Sequence, residues 1–239
     1  MNAWKFGGAL LAGCTFAVGL WAGQAKPAGP DPALMHPATL TSKAPDVYRV
    51  KFTTTKGSFV VEVTRAWAPL GADRFYNLVS HHFYDQASFF RVVKSPRPFV
   101  VQFGIHADPK VSAQWANANI KDDPVQHSNT RGTVTYAMGG PGSRTTQIFI
   151  NLGDNAFLDK QPQPFAPFGQ VVEGMDVVDQ LNGEYGDTPT GHQGDIQSGG
   201  KAYLDKTFPK LDSVLKAEIV TPAGATDDKA KAPAKKPGS

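Results

Sequence analysis

At 239 residues, 41% hydrophobic and 19% charged, the chain has room for one or two soluble domains and resembles neither a disordered nor a membrane-spanning composition. Lys and Arg number 24 against 21 Asp and Glu, a net charge of +3; each end carries +2, so residues 46–220 sum to −1 and lack the basic surplus that nucleic-acid binding needs. The single cysteine, Cys14, excludes an intramolecular disulfide, a thiolate zinc cluster and a two-cysteine redox motif. Met1 to Lys5 is short and basic, Phe6 to Ala22 is uncharged, and Gly23-Gln24-Ala25 supplies small residues before Lys26. Residues 1–25 are therefore predicted to be a signal peptide, and the mature protein to be exported to an oxidising periplasm. Leu11-Ala12-Gly13-Cys14 also matches a lipoprotein signal, but the apolar run continues from Thr15 to Ala22, so lipidation at Cys14 is held as the alternative. Membrane contact is expected only through a lipidated Cys14 or an uncleaved signal.

Residues 26–45 contain five prolines and no periodicity, and are read as a flexible spacer. Thr221 to Ser239 has no large apolar residue and is read as a disordered Lys/Ala/Pro tail. Residues 46–220 between them make one domain. There Tyr48, Val50 and Phe52 alternate with Arg49 and Lys51, Lys56-Gly57 follows, and Phe59, Val61 and Val63 alternate again, which predicts a β-hairpin. Ala68-Pro69 opens a helix whose inward face carries Phe75, Leu78, Val79 and His82. Strands are predicted at Phe89 to Val93, Phe99 to Phe103, Thr133 to Met138, Gln147 to Asn151, Phe165 to Val172 and Ser213 to Val220, with a short helix at Met175 to Leu181. Residues 105–131 and 182–201 read as long polar loops, a class that is often functional. The pattern is mostly β, a barrel or sandwich with helices at its ends.

No Gly-x-Ser-x-Gly elbow, His-Glu-x-x-His or Walker-type loop is present. Gly139-Gly140-Pro141-Gly142-Ser143 precedes a strand-like run rather than a helix, which argues against a phosphate loop. His81-His82 point about 100° apart on a helix and make a poor metal pair. Asp122-Asp123 have no basic partner nearby in sequence and are assigned no chemistry. What stands out is Arg91 beside aromatic residues, together with polar Gln102 and Gln147 in apolar strands. Strict alternation sets Arg91 opposite Phe90 and Val92. Two readings of the amides stay open: partners of a buried arginine head, or surface positions on edge strands.

Asp73-Arg74-Phe75-Tyr76-Asn77-Leu78, Phe89-Phe90-Arg91-Val92-Val93, Phe99-Val100-Val101-Gln102-Phe103-Gly104, Tyr136-Ala137-Met138 with Gly140-Pro141, Thr146-Gln147-Ile148-Phe149-Ile150-Asn151 and Phe168-Gly169-Gln170-Val171 resemble the cyclophilin family of peptidyl-prolyl cis-trans isomerases, in a bacterial exported form. The likeness covers about residues 47–220. It implies a closed eight-stranded antiparallel β-barrel capped by two α-helices, with a substrate groove on its outer face. It further implies a monomeric enzyme on proline-containing polypeptides, without metal or organic cofactor. By the same resemblance Arg91 is the catalytic arginine. Phe99, Val100, Phe149, Leu158 and, at the rim, Phe165 form the proline pocket, and Gln102, Ala137 and Met138 hold the peptide. Gln147 and Phe157 complete the substrate-binding set. Val100 stands where many relatives have methionine, Phe157 replaces a tryptophan usual in cyclosporin-sensitive members, and Phe165 stands where many eukaryotic members have histidine. Lys94-Ser95-Pro96-Arg97-Pro98 is an insertion expected to reshape one wall.

Overall fold

The computed structural model describes residues 29–220. The predicted signal peptide with Cys14, and the predicted tail, lie outside the described residues. The alternation at 47–64 produces β1 (Val47–Thr54) and β2 (Gly57–Thr64), paired antiparallel from Val47 opposite Thr64 to Thr54 opposite Gly57. Tyr48, Val50, Phe52, Phe59, Val61 and Val63 all turn inward. Gly57, at φ +129°, supplies the backbone conformation that closes the turn. Helix α1 (Pro69–Ser80) buries Phe75, Leu78 and Val79 as its spacing requires. His82 lies past the helix end at φ +58° and is largely exposed, so it does not continue the inward face.

The chain continues through β3 (Arg91–Val92), β4 (Val100–Phe103), α2 (Pro109–Trp115), β5 (Thr133–Tyr136), β6 (Ile148–Asn151), β7 (Pro167–Glu173), α3 (Met175–Gln180), α4 (Gln193–Thr207) and β8 (Val214–Val220). These strands form one eight-stranded antiparallel sheet in the order β3-β4-β6-β5-β7-β2-β1-β8. The sheet curls into a half-barrel rather than the closed barrel expected. β3 has only two residues, and its outer edge is taken by a loop, Val92 N–H donating to the Gly186 carbonyl. Only an isolated bridge between Ser88 and Ser213, flanked by bonds such as Phe89 N–H to Asp212 O, spans the seam between the edges. Four α-helices are present among the described residues, not two. Of the additional pair, α2 lies in the stretch 105–131 read as a polar loop, and α4 begins in the stretch 182–201 and runs on to Thr207. None of the described helices is long and apolar enough to cross a membrane.

Phe52, Phe59, Phe75, Tyr84, Phe89, Phe103 and Phe168 pack inside the curl, with ring centroids as close as 4.8 Å for Phe89 and Phe103. Phe90 does not alternate as expected: it packs with Ile105, Ile196, Leu204 and Phe208 in a separate cluster beneath α4, whereas Phe89 and Val92 both enter the main core. The part of the predicted spacer that is described is docked on the domain. It makes 3-10 turns at Pro32–Met35 and Pro37–Thr39, buries Leu34, and the Trp115 indole donates to the Leu34 carbonyl at 2.8 Å.

His106 joins this packing with its ring 5.1 Å from that of Phe83, and its Nδ1 accepts the Asp108 N–H at 2.9 Å. Burial pushes its pKa below the ordinary value, so the native ring is neutral while the unfolded chain takes up a proton near pH 6.5. The stability this group contributes is complete above about pH 6.5 and is lost as pH falls toward its folded pKa. We expect His106→Gln to melt with a shallower pH dependence between pH 7.5 and 5 than the parent. Parallel melting curves would show that His106 carries none of the acid sensitivity.

Candidate active site

The sheet register assembles a row of polar and aromatic side chains on the outer face. Arg91 lies opposite Gln102 across β3 and β4, and Gln102 lies opposite Phe149 across β4 and β6. Because strand side chains alternate, Val100 shares the outer face with Gln102 while Val101 and Phe103 enter the core. Every residue of β4 is nonetheless buried, since the outer face is itself covered. A 3-10 turn at Ala156–Lys160 brings in Leu158, whose carbonyl accepts the Phe165 N–H at 3.1 Å, and the Phe165 ring stands edge-on to Phe149.

These residues enclose a cavity of about 230 Å³ lined by Arg91, Phe99, Val100, Gln102, Ala137, Met138, Phe149, Leu158, Phe165, Thr190 and Gln193. All the residues nominated from sequence meet there except Gln147 and Phe157. Gln147 sits one step behind the wall: its Oε1 accepts from Gln102 Nε2 at 2.9 Å, and its Nε2 donates to Gln193 Oε1 at 3.0 Å. Phe157 is 41% exposed, lies outside the cavity, stacks on Phe99 and has Arg97 of the insertion 5.4 Å from its ring centroid. Gln102 is therefore the partner of an arginine and Gln147 the partner of Gln102; neither is a free surface group on an edge strand.

The guanidinium of Arg91 is held on several sides. Nη1 donates to Gln102 Oε1 at 3.1 Å, Nε to Asp187 Oδ1 at 2.5 Å, and Cζ lies 5.5 Å from the Phe99 ring centroid. The Arg91 cation beside Asp187 holds that carboxyl below the ordinary carboxylate range. Asp187, Thr190 and Gln193 were not nominated from sequence, although they fall within the polar stretch 182–201 that was singled out by its length. The loops forming the floor are fixed by buried amides: Asn155 Nδ2 donates to the Phe99 carbonyl, and Asn129 Nδ2 to the Phe165 carbonyl.

A larger cleft, about 650 Å³, lies between residues 29–32, His82–Gln86 and His106–Asp108. Several of its polar groups are engaged elsewhere, Asp31 with His81, Asp85 with the Ala217 N–H and His106 with Asp108. Among the described residues no three His, Cys, Asp or Glu stand together as metal ligands.

Residues 49–199 match the family described as cyclophilin type peptidyl-prolyl cis-trans isomerase/CLD. A peptidyl-prolyl cis-trans isomerase of Acinetobacter baylyi is 35% identical over 136 residues, 55% of this chain and 70% of that protein. Peptidyl-prolyl cis-trans isomerase B of Escherichia coli is 30% identical over 179 residues, 72% of this chain and 99% of that protein. The fold is similar to a Cryptosporidium parvum cyclophilin type peptidyl-prolyl cis-trans isomerase, with a TM-score of 0.53 at 16% identity, covering 73% of this chain and 98% of the other.

Proposed function

The chain belongs to the cyclophilin-type peptidyl-prolyl cis-trans isomerase family, and on that premise we propose that Arg91 and the adjoining apolar pocket carry its catalysis. The reaction is rotation about X–Pro bonds in polypeptide substrates. The barrier, ~18–20 kcal/mol, comes from delocalisation of the peptide nitrogen lone pair, while the two prolyl isomers differ by only ~0.5–1 kcal/mol. No covalent bond need be made; the enzyme has to bind the twisted peptide better than either planar form.

At a twist of 90° the prolyl nitrogen regains its lone pair and becomes an acceptor. A fixed cation with N–H groups aimed at it stabilises that state and neither ground state. Of the five guanidinium N–H groups of Arg91, three are directed at Gln102 and Asp187, and two remain for substrate. Phe99, Val100, Phe149, Leu158 and Phe165 seat the prolyl ring, and Ala137 and Met138 line the path of the peptide backbone. The observation that carries this reading is an immobilised, always-charged guanidinium on the wall of an apolar pocket.

The test is cis-trans exchange in a short Ala-Pro peptide followed by NMR. We expect acceleration by the wild type, and a KM raised about tenfold in Phe149→Ala, from the ~1–2 kcal/mol of apolar contact removed. A folded wild type that binds the peptide but leaves exchange at the uncatalysed rate would reduce the pocket to a binding surface.

The N-terminal sequence supports an enzyme acting on exported chains as they fold outside the cytoplasm. Its cleavage is checked by the intact mass of the mature protein: a chain beginning at Lys26 is expected, and a lipidated Cys14 would move the enzyme to a membrane surface.

A further inference from the structure

We propose that Asp187 is a positioning residue for the isomerisation, fixing the plane of the Arg91 guanidinium from the side opposite Gln102. The inference rests on the reading of Arg91 as the catalytic cation. Asp187 meets Arg91 side-on, Oδ1 at 2.5 Å from Nε and Oδ2 at 3.4 Å from Nη2, while Gln102 Oε1 holds Nη1 at 3.1 Å. A single acceptor leaves a long side chain able to swing; acceptors on two edges leave the head one orientation, with its remaining N–H groups on the pocket side.

Asp187 is itself anchored. Its carboxylate accepts from Thr190 Oγ1 at 3.2 Å, its carbonyl accepts the Thr190 N–H at 3.0 Å, and the preceding Gly186 carbonyl accepts the Val92 N–H at 3.3 Å. The loop that carries the carboxylate is thus tied to the strand that carries the arginine. The same segment adds Thr190 and Gln193 to the pocket wall.

A carboxylate beside a catalytic cation also opposes it electrostatically, and the two effects predict opposite outcomes. The Asp187 side chain is 62% exposed, so water screens its charge over the distance to the pocket, whereas its direct contact with Nε, at 2.5 Å, leaves no room for water and is screened less. Positioning is therefore the larger effect, and removal of the carboxylate slows the enzyme. The ion pair is too exposed to matter much for stability, so a structural role would leave turnover untouched.

The experiment measures kcat and KM for an Ala-Pro peptide by NMR exchange in wild type, Asp187→Ala, Asp187→Glu and Arg91→Ala, together with the Arg91 Nε–H signal in a ¹H–¹⁵N spectrum. For Asp187→Ala we expect kcat about tenfold lower with KM within twofold, and loss of the slowly exchanging Nε–H signal. Asp187→Glu should restore part of both. Unchanged or faster turnover in Asp187→Ala, or a rise in KM alone, overturns the proposal. If Arg91→Ala is idle while Asp187→Ala is normal, only the positioning role fails. If Arg91→Ala keeps wild-type turnover, the reading of Arg91 fails and the role of Asp187 falls with it.

Discussion

Arg91→Ala is expected to lower kcat for prolyl isomerisation by about 10²–10³-fold, or ~2.7–4 kcal/mol of transition-state stabilisation, while leaving peptide affinity within a few-fold of wild type. The separation follows from where the interactions are made. In the proposed mechanism the contacts of Phe149, Leu158 and Phe165 with the prolyl ring are made to planar and twisted peptide alike and so set affinity. In the same mechanism the guanidinium meets an acceptor at the prolyl nitrogen only once the bond has twisted. The stacking of Arg91 on Phe99 contributes ~0.5–1 kcal/mol, too little to account for the loss. Arg91→Lys should be nearly as poor: an ammonium on a flexible stem cannot engage Gln102 and Asp187 together and still present aligned donors. Exchange spectroscopy for turnover and calorimetry for binding make the comparison. An Arg91→Ala enzyme with wild-type kcat would remove the arginine from the mechanism.

What the sequence made legible is what local periodicity encodes. Tyr48, Val50 and Phe52 facing Phe59, Val61 and Val63 declared a hairpin, and the burial of each matches that alternation. Gln102 in an otherwise apolar strand marked the face on which the pocket is built, and its neighbours in the register, Arg91 and Phe149, followed from the resemblance. What escaped depends on partners distant in the chain. Asp187 is defined by a bond to a residue 96 positions away. The segment before β1 buries two side chains, Leu34 and Ala44, and is otherwise held by bonds such as Trp115 to the Leu34 carbonyl and the Ala44 N–H to Asp73, which leave no trace in composition.

Helix α4 was hidden for a different reason. Gly194, Gly199 and Gly200 weaken its propensity, yet Gly200 is required: at φ +59° it kinks the helix where a Cβ would collide with the Ala107 carbonyl, and the adjoining Lys201 N–H bonds that same carbonyl at 2.9 Å. The glycines that read as a loop permit the close approach that lets α4 cover Phe90 and reach the pocket with Gln193.

The largest expected stability effect lies at Asp123, a residue given no role from its sequence neighbourhood. Its carboxylate accepts the Leu70 and Gly71 N–H groups at 3.0 and 2.9 Å and pairs with Arg144 Nη2 at 3.0 Å. Helix α1 begins Ala68-Pro69, and Ala68 offers no side-chain acceptor, so the orphan donors of its first turn are satisfied from a loop more than 50 residues away. Both charged side chains are 2–3% exposed. Asp123→Ala therefore strands two helix N–H groups and takes the buried carboxylate from a guanidinium that keeps the Lys121 carbonyl on Nη2 and the partly exposed Asp122 3.3 Å from Nε. The expected cost is ~3–5 kcal/mol, or a melting point lower by about 10 °C for a domain of this size. Replacing both members with Asp123→Leu and Arg144→Met should recover part of it, because no deeply buried charge is left unpaired, but not all, because the α1 donors stay unsatisfied and the partly exposed Asp122 loses its arginine. Calorimetric melting decides between these, and a single variant within ~1 kcal/mol of wild type would show that α1 does not depend on this carboxylate. Below its melting point Asp123→Ala should still turn over substrate at the wild-type rate per folded molecule, since Asp123 does not line the pocket. Arg91→Ala reverses that pattern, folded and slow, so the pair separates what builds the domain from what its pocket does.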